Sequence, residues 1–341
     1  MEKIKVWVPT RCEHSQQITT GFLMLKEKGW DVEIIDISGN ENNPFSGMAV
    51  IQAEYKGKKI IYDVWDGYQD QQGIQAGLDW ADFYFKRSFS AEKNAAFFPE
   101  ARHKIFPLGF NYHMTYKNCP STDPSWKILI KKILGRYFVP STFEGTAAAP
   151  KGEPKIIFFT RLWDVKEPGL NAALQEERKI INLERIEIIR ALKQRYGDMF
   201  IGGLNDTPLS QEMAPDLIMP NTYTNRNKYI ALLHSCDICI GSMGLHESIG
   251  WKTGEYVAAA KAIVHDPFRY SVPGDFLPGK NYLEYRTAEE CIAAVQKLVE
   301  DPQLLLSMKM ANQEYYREYL KPDVLVANTL EIVRSKCDTL E

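Results

Sequence analysis

Two carboxylates stand eight residues apart in the second half of the chain, at Glu247 and Glu255. The first lies in a predicted loop and the second in the helix predicted to follow it. If that helix begins near Ser248, its first turn carries unpaired N–H groups and the positive end of the helix dipole, which suit a diphosphate. About two turns further along, Glu255 can accept hydrogen bonds from two vicinal ribose hydroxyls. The spacing therefore predicts a site for a nucleoside diphosphate.

A strand, a loop, a helix and a second strand are predicted to position these carboxylates. Residues 238–240 form a short apolar run that ends at Gly241 and Gly244, as expected where a buried strand meets a loop. Residues 256–260 have high helix propensity, and residues 262–264 run into the next strand.

The sequence Glu247-Ser-Ile-Gly, followed by four residues and Glu255, resembles the E-x7-E motif of retaining, nucleotide-sugar-dependent glycosyltransferases with the GT-B fold. The resemblance is to the group 1 or family 4 type, which builds bacterial glycans. It implies that Glu247 lies beside the donor sugar and that Glu255 holds the nucleotide ribose. Lys261 stands where the family usually has Gly, so the exit from the helix is expected to differ. The resemblance implies further donor contacts from Gly244, Leu245, Ser248, Ile249 and Gly250.

Arg161 and Lys166 follow an apolar strand predicted at residues 155–159. This arrangement is similar to the Arg and Lys pair with which related glycosyltransferases hold the donor diphosphate. Negative charge builds up on that leaving group as the glycosidic bond breaks, and an Arg fork with a Lys point charge stabilises it. The alternative is an exposed loop with ordinary charges. With these cations and no paired Asp motif, neither a metal nor a cofactor is expected beyond the UDP- or GDP-linked substrate.

Length, charge and cysteine content limit the classes of protein to which the chain can belong. A length of 341 residues predicts two domains, and a formal net charge of −3 gives no basic field for nucleic acid. The six cysteines are scattered, and the Cys236 and Cys239 pair is predicted to belong to a buried strand rather than to a redox or zinc site. The start lacks the apolar run of a signal peptide, and no run reaches the ~18 apolar residues of a membrane span. A cytoplasmic location is therefore predicted.

The first domain opens with a strand, a helix and a strand at residues 4–8, 16–28 and 31–37, which predicts a parallel sheet. The loop after the first strand lacks G-x-G-x-x-G, so a dinucleotide oxidoreductase is disfavoured. Two β-rich runs within residues 47–62 predict a hairpin or a short crossover.

Polar side chains that follow these strands are candidates for binding the acceptor, because ligands of open α/β sheets lie at the carboxyl ends of strands. They are Asp63 and Asp66, with a turn held by Asx-type hydrogen bonds as the alternative. His14 follows the first strand and could position the acceptor, although a lone His is more often structural. Residues 86–88 (Lys-Arg-Ser) could face phosphate or substrate, or form a solvated loop.

Residues 118–154 are rich in proline and are predicted to connect the domains. They contain one helix, at 124–136, with Asp123 as its cap and Pro124 in its first turn. Between residues 101 and 155 there are nine Lys or Arg and three Asp or Glu, a net charge of +6. The helix could lie on an anionic membrane, or pack its apolar stripe on the first domain with its lysines in water. The stripe consists of Trp126, Leu129, Ile130, Ile133 and Leu134.

The predicted fold is α/β, with two Rossmann-like domains facing across a cleft, as the resemblance implies. Residues 1–150 form the acceptor-side domain with a linker from about 118, residues 151–320 bind the nucleotide sugar, and residues 321–341 form a helix that returns to the first domain. The predicted activity is hexosyl transfer from a nucleoside diphosphate sugar to a hydroxyl of a glycan or lipid-linked acceptor, with retention and without metal. The alternatives are a related sugar-nucleotide epimerase or phosphorylase, or a non-catalytic protein that binds nucleotide sugars.

Overall fold

The computed structural model describes residues 2–40, 42–120 and 123–338, and the chain divides into two compact units. The division falls between Thr142 and Phe143, within the proline-rich stretch predicted to connect the domains. The first unit comprises Met1–Thr142, Arg269–Asp275 and Tyr315–Glu341, and the second comprises Phe143–Phe268 and Phe276–Glu314.

The first unit is built on a sheet in the order β2-β1-β3-β4-β5-β6. Its strands are β1 (Ile4–Val8), β2 (Val32–Asp36), β3 (Val50–Tyr55), β4 (Lys58–Asp63), β5 (Phe83–Lys86) and β6 (Ile105–Pro107). β1 and β2 pair in parallel as predicted, and the hairpin expected within residues 47–62 is present as β3 and β4, so β3 runs antiparallel to both β1 and β4 and the sheet is mixed. The reversal of β3 follows from a tight hairpin in which Lys56 and Gly57 have φ of 53° and 69°. The other strands of this sheet point the same way, so their carboxyl ends share one edge.

Helices cover this sheet, and the last of them comes from the end of the chain. The first unit contains α1 (Gln16–Glu27), α2 (Gln71–Trp80), α3 (Ala91–Phe97), α4 (Ser125–Ile133) and α13 (Pro322–Asp338), and α5 (Pro140–Phe143) spans the division. A Cβ on Gly21 of α1 would lie 2.3 Å from the Pro322 carbonyl oxygen, so the glycine permits α1 and α13 to pack closely. The Tyr62 hydroxyl also lies 2.8 Å from the Thr329 Oγ1, which ties the sheet to α13.

The helix predicted at 124–136 is α4, and two expectations about it are wrong. Its N-cap residue is Pro124 rather than Asp123, because the Asp123 carboxylate forms an ion pair with Lys131. Its apolar stripe does not pack on the first unit but is exposed, with Trp126 at 60% and Ile133 at 75%. After the helix, Gly135 takes a φ of 62°, the left-handed conformation that commonly ends a helix.

The second unit is built on a parallel sheet in the order β11-β10-β9-β7-β8. Its strands are β7 (Ile156–Thr160), β8 (Phe200–Leu204), β9 (Ile238–Gly241), β10 (Ala262–His265) and β11 (Tyr282–Glu284). β7, β9 and β10 are buried along their whole length, as expected of strands covered on both faces. The predicted α/β class, with a mainly parallel sheet in each half, is confirmed.

Helices pack on this sheet through an apolar core. The long helix α6 is capped by the Asn171 side chain, and its Ile189 and Leu192 are fully buried in the same core as Val295 of α11. The helices that begin in this unit are α6 (Ala172–Tyr196), α7 (Pro208–Met213), α8 (Asn221–Thr224), α9 (Arg226–Ser235), α10 (Trp251–Ala258), α11 (Ala288–Glu300) and α12 (Pro302–Tyr315).

The strand order of the second unit has a switch point between β7 and β9. The chain passes from β7 to β8 on one side and later returns to β9 on the other. In open α/β sheets the loops on either side of such a point diverge and leave a crevice at the carboxyl ends of the strands, where ligands bind. Arg161 follows β7 and the loop with Glu247 follows β9, so topology alone places both at this edge.

Candidate functional site

The loop after β9 carries the motif, and its helix starts later than the spacing predicts. α10 begins at Trp251 with Gly250 as its N-cap residue, not near Ser248. Residues Leu245–Glu247 form a separate short 3-10 turn, and Ser248 is buried in an extended conformation. The helix cannot start earlier because the preceding turn ends in left-handed backbone. Glu255 consequently lies little more than one turn into α10.

The residues predicted to contact the donor line this loop. The Gly244 N–H donates to the Ser248 carbonyl over 2.8 Å, and a Cβ on Gly244 would come within 2.6 Å of the Ser248 hydroxyl. Leu245 opens the 3-10 turn, and Ile249 is buried beside Gly250 at the helix start. The segment is thus a tightly closed loop.

The backbone of the motif is held in a costly conformation by a carboxylate from another helix. His246 and Glu247 both have φ of 60°, which disfavours side chains other than glycine. Their N–H groups donate to the Glu177 Oε1 of α6 over 2.7 and 3.3 Å. Consecutive N–H groups in such a turn form a concave anion site, and here the Glu177 carboxylate is the anion.

Glu255 is buried, with 1% of its side chain exposed. Its Oε1 accepts a hydrogen bond from Arg226 Nη2 of α9 over 2.7 Å. Its Oε2 is buried as well and lacks a hydrogen bond of ordinary geometry within the described part of the chain, although the buried Tyr229 hydroxyl of α9 interacts with this carboxylate. An oxygen removed from water without a well-placed donor costs free energy, so this atom indicates a place where donors of a ligand would be bound.

A lysine of α10 joins Glu255 on the same helical face, since the two are three residues apart. Lys252 is partly buried, and its Nζ donates to the Phe159 carbonyl of β7 over 2.9 Å. Burial lowers the pKa of Lys252 to about 8, and Glu255 partly offsets this effect while nearby arginines, Arg226 first among them, add to it. Positive charge therefore collects at the carboxyl end of β7.

Arg185 of α6 joins the two loops at the switch point. Its guanidinium donates to the Arg161 carbonyl over 2.7 Å, to the Ser242 hydroxyl over 3.1 Å and to the Met243 carbonyl over 2.9 Å. Burial lowers its pKa to about 10. Its donors are engaged with the protein, so it positions the loops after β7 and β9.

The two cations predicted from the resemblance have different surroundings. The Arg161 guanidinium lies 3.9 Å from the centre of the Trp163 ring, and burial lowers its pKa. Lys166 has a 76% exposed side chain whose Nζ lies 3.6 Å from a Glu212 carboxylate oxygen. Both residues are exposed, and they differ in their neighbours, because Arg161 lies on Trp163 and Lys166 lies near Glu212.

Sequence reasoning missed Lys252, Arg226 and Arg185. For Lys252 a signal existed, because it stands between the two motif glutamates and shares a helical face with Glu255. Arg226 and Arg185 come from other helices, where only the fold brings them to this edge.

The first unit has its own polar cluster at the carboxyl edge of its sheet. His14 follows β1, Asp66 follows β4 and Arg87 follows β5, and the Asp66 carboxylate forms an ion pair with Arg87. Burial and, after it, the charge of Arg87 lower the pKa of His14. Arg87 and its neighbours Lys86 and Ser88 are buried, so the alternative of a solvated loop is wrong.

Asp63 lies beneath this cluster with its oxygens engaged. Its carboxylate accepts hydrogen bonds from the Tyr84 hydroxyl, from Lys86 Nζ over 2.7 Å and from the Trp65 N–H over 2.8 Å. The last of these is the Asx-type turn considered as the alternative. A cavity of about 120 Å³ lies beside Asp63 and Lys86, with Met48 and Trp65 in its lining.

Within residues 2–40, 42–120 and 123–338, no group of three or more His, Cys, Asp or Glu side chains is arranged to hold a metal ion. The cysteines of this part of the chain are free, and burial raises the pKa of Cys236 to about 11. No helix among these residues is both long and apolar enough to cross a membrane.

Comparison with solved structures finds glycosyltransferase-type proteins among the similar chains. HepE from Anabaena, in complex with UDP and glucose, is 12% identical, with 97% of this chain and 98% of that chain covered at a TM-score of 0.46. Sucrose-phosphate synthase from Thermosynechococcus elongatus is 12% identical, with 98% and 99% covered at 0.41. The C-terminal domain of a group 1 family glycosyl transferase (LpcC) from Francisella tularensis is 14% identical, with 53% of this chain and 97% of that chain covered at 0.37.

These scores are below 0.5 and the identities are low, so the likeness carries no argument about activity. No protein-family model matches the sequence, and no curated protein matches it significantly. The fold and the site by themselves define a two-unit α/β protein whose second unit has a buried carboxylate with basic side chains beside it at the switch point of its sheet.

Proposed function

We propose that this protein is a GT-B glycosyltransferase that moves a hexosyl group from a nucleoside diphosphate sugar to a hydroxyl of a glycan or lipid-linked acceptor. The observation that carries the proposal is Glu255, a buried carboxylate at the switch point whose Oε2 lacks a hydrogen bond of ordinary geometry within the described residues. Vicinal ribose hydroxyls supply donors for such an oxygen. Cations beside Glu255 supply the counter-charge that a diphosphate needs.

In this proposal Lys252 and Arg161 hold the diphosphate together with the N–H groups at the start of α10. Lys252 lies at the end of β7 and Arg161 directly follows it, so both are at the correct edge of the sheet. The positive end of the α10 dipole adds to their field. Lys166, predicted for this role, lies near the Glu212 carboxylate, whereas Lys252 shares a helical face with Glu255, which favours Lys252 as the second cation.

The reaction follows from this arrangement. The acceptor hydroxyl attacks the anomeric carbon on the face from which the diphosphate leaves, the bond from that carbon to the diphosphate oxygen breaks, and negative charge develops on the diphosphate, whose departing oxygen takes the hydroxyl proton. Lys252, Arg161 and the helix start are placed to stabilise that charge before the reaction begins. Glu247, on the same loop, lies beside the donor sugar in this scheme. Fixed cations perform the electrostatic work that a divalent metal performs in other transferases, so transfer is proposed to need no metal.

The acceptor is assigned to the first unit, at the edge with His14, Asp66 and Arg87. His14 has a lowered pKa and is therefore mainly neutral at neutral pH, as required of a group that accepts a hydroxyl proton or orients the hydroxyl. Asp63 is fully hydrogen-bonded and supports this edge from below.

The donor site is tested by calorimetric titration of the full chain with UDP, GDP, ADP and CMP. We expect one nucleoside diphosphate to bind, and Glu255→Gln to weaken its binding about 10- to 100-fold, because hydrogen bonds to a charged acceptor are stronger than those to a neutral one. Glu176→Gln changes an exposed carboxylate on α6 in the same way and should leave binding unchanged. Absence of binding to all four nucleotides would remove the basis of the proposal.

Catalysis is tested separately, by release of the nucleoside diphosphate from sugar nucleotides in the presence of acceptor mixtures. Glu247→Gln should retain nucleotide binding and lose transfer. The anomeric configuration of the product, read by NMR, should match that of the donor, and EDTA should not reduce the rate. Nucleotide binding without any transfer would instead support a binding protein, and release of free sugar with no acceptor requirement would support an epimerase.

A further inference from the structure

The helix α4 presents its apolar side outward. Trp126, Leu129, Ile130 and Ile133 are each between 45% and 75% exposed, and Leu134, directly after the helix, is 54% exposed. These five side chains lie within roughly 140° of the helix circumference, given 3.6 residues per turn. On the opposite side stands Ile128, which is less exposed than the stripe. A helix of a soluble domain normally turns its apolar side toward the core and its charged side toward water.

Basic residues border this stripe on both sides. Lys127 and Lys131 follow one border and Lys132 follows the other, and Arg136 comes directly after the end of the helix. Asp123 is the acidic residue of this segment, and it is paired with Lys131. The end of the helix is fixed by Gly135, whose left-handed φ brings the Arg136 N–H within 2.7 Å of the Lys131 carbonyl. The outward face is therefore apolar along its centre and positive along both edges.

We propose that α4 docks on an anionic lipid bilayer, with its stripe in the boundary between headgroups and acyl chains. An anionic bilayer matches this face in charge and in polarity. The flanking cations would meet lipid phosphates, and the apolar side chains would leave water for the acyl chains. Trp126 suits this depth, since an indole has a large apolar body and one N–H donor. The inference concerns the first unit and does not depend on the proposed transferase activity.

A second copy of the chain fits this face less well. A helix of nine residues is about 14 Å long, too short for the ~800 Å² per partner that a stable interface buries. A twofold contact through the stripe would also bring the basic borders of the two copies together.

The test is co-sedimentation of the full chain with vesicles of phosphatidylcholine alone or with about one third phosphatidylglycerol. We expect binding to the anionic vesicles at least tenfold stronger than to the neutral ones, and weaker at high salt because screening shortens the reach of the charges. Lys127→Gln with Lys132→Gln should remove most of the preference for anionic lipid. Leu129→Glu with Ile133→Glu should reduce binding at least tenfold.

The matched control is Leu183→Glu, which places the same charge at a 60% exposed leucine on α6 of the second unit and should leave vesicle binding unchanged. The altered α4 side chains are exposed, so each variant should keep the unfolding temperature of the wild type. A second readout is quenching of indole fluorescence by brominated lipid, which should be lost in Trp126→Phe. Failure of the wild type to bind anionic vesicles, or equal binding by the stripe variant, would overturn the inference. So would a dimer in lipid-free solution that Leu129→Glu with Ile133→Glu dissociates, because a second copy would then be the occupant.

Discussion

Nucleotide binding should depend on pH through Lys252, whose Nζ lies at the end of β7 and whose pKa is lowered to about 8 by burial. The free protein is then about 90% charged at Lys252 near pH 7 and about 10% charged near pH 9. A bound diphosphate brings negative charge to the ammonium and raises its pKa toward the ordinary value of 10.5. The complex therefore holds a proton at Lys252 that the free protein has largely lost at pH 9.

The direction in which the affinity changes with pH follows from the number of protons that each state binds. Because the complex binds more protons than the free protein between about pH 8 and 10.5, the affinity for the diphosphate falls as pH rises through this window. With these two pKa values the loss between about pH 7 and pH 9 is roughly tenfold, equivalent to ~1.4 kcal/mol. The phosphate groups of the ligand lose their second proton near pH 6. The ligand therefore adds little to the change in affinity above pH 7.

The assay is calorimetric titration with whichever nucleoside diphosphate binds in the donor-site test. It is repeated in buffers of different ionisation enthalpy, which reports the number of protons taken up on binding. Uptake of about half a proton near pH 8 and nearly one near pH 9 is expected. Lys252→Arg keeps the charge and should flatten the pH profile, because an arginine stays protonated. Lys166→Arg, at an exposed site, should leave the profile of the wild type. Proton uptake that persists in Lys252→Arg, or a wild-type affinity independent of pH, would refute the reasoning.

Three further variants test other parts of the structure. Gly21→Ala should lower the free energy of unfolding of the first unit by about 1–3 kcal/mol, because its Cβ would meet the Pro322 carbonyl; Gly39→Ala, in open space, should be close to neutral in the same denaturant titration. Arg185→Lys should weaken nucleotide binding at least tenfold in calorimetry, because a lysine cannot make the three directed hydrogen bonds that join the switch-point loops. Glu177→Ala should release the left-handed motif loop, seen as faster amide hydrogen exchange there and slower transfer, whereas unchanged exchange would show that this carboxylate does not hold the loop.

Much of the fold could be predicted from the sequence, because its signals are local. The apolar runs of β7 and β9 and the glycines after β9 mark a buried strand that ends in a loop. The stripe of α4 has helical spacing, and that helix is present. Which way the stripe faces could not be predicted, because burial depends on neighbours that spacing does not specify.

The rest of the site depends on contacts between distant parts of the chain. Arg226 reaches Glu255 across 29 residues, and Arg185 reaches Met243 across 58. Sequence spacing predicts neither of these contacts, because only the strand order of the second unit brings the helices of the two arginines to one edge of the sheet. The hairpin of β3 and β4 was among the sequence expectations, but its place beside β1 could not be predicted, because a strand, a helix and a strand indicate parallel pairing only for their own two strands.

The packing of α13 on α1 also has a consequence for the order in which the protein is made. The ribosome releases α1 and the sheet of the first unit before the second unit, but the helix that covers Gly21 and Tyr62 emerges only after the second unit. Until then the first unit has an open apolar groove, while nearly all of the second unit has been synthesised and can fold. The second unit can therefore complete its fold before α13, which follows it in the chain, closes the first unit.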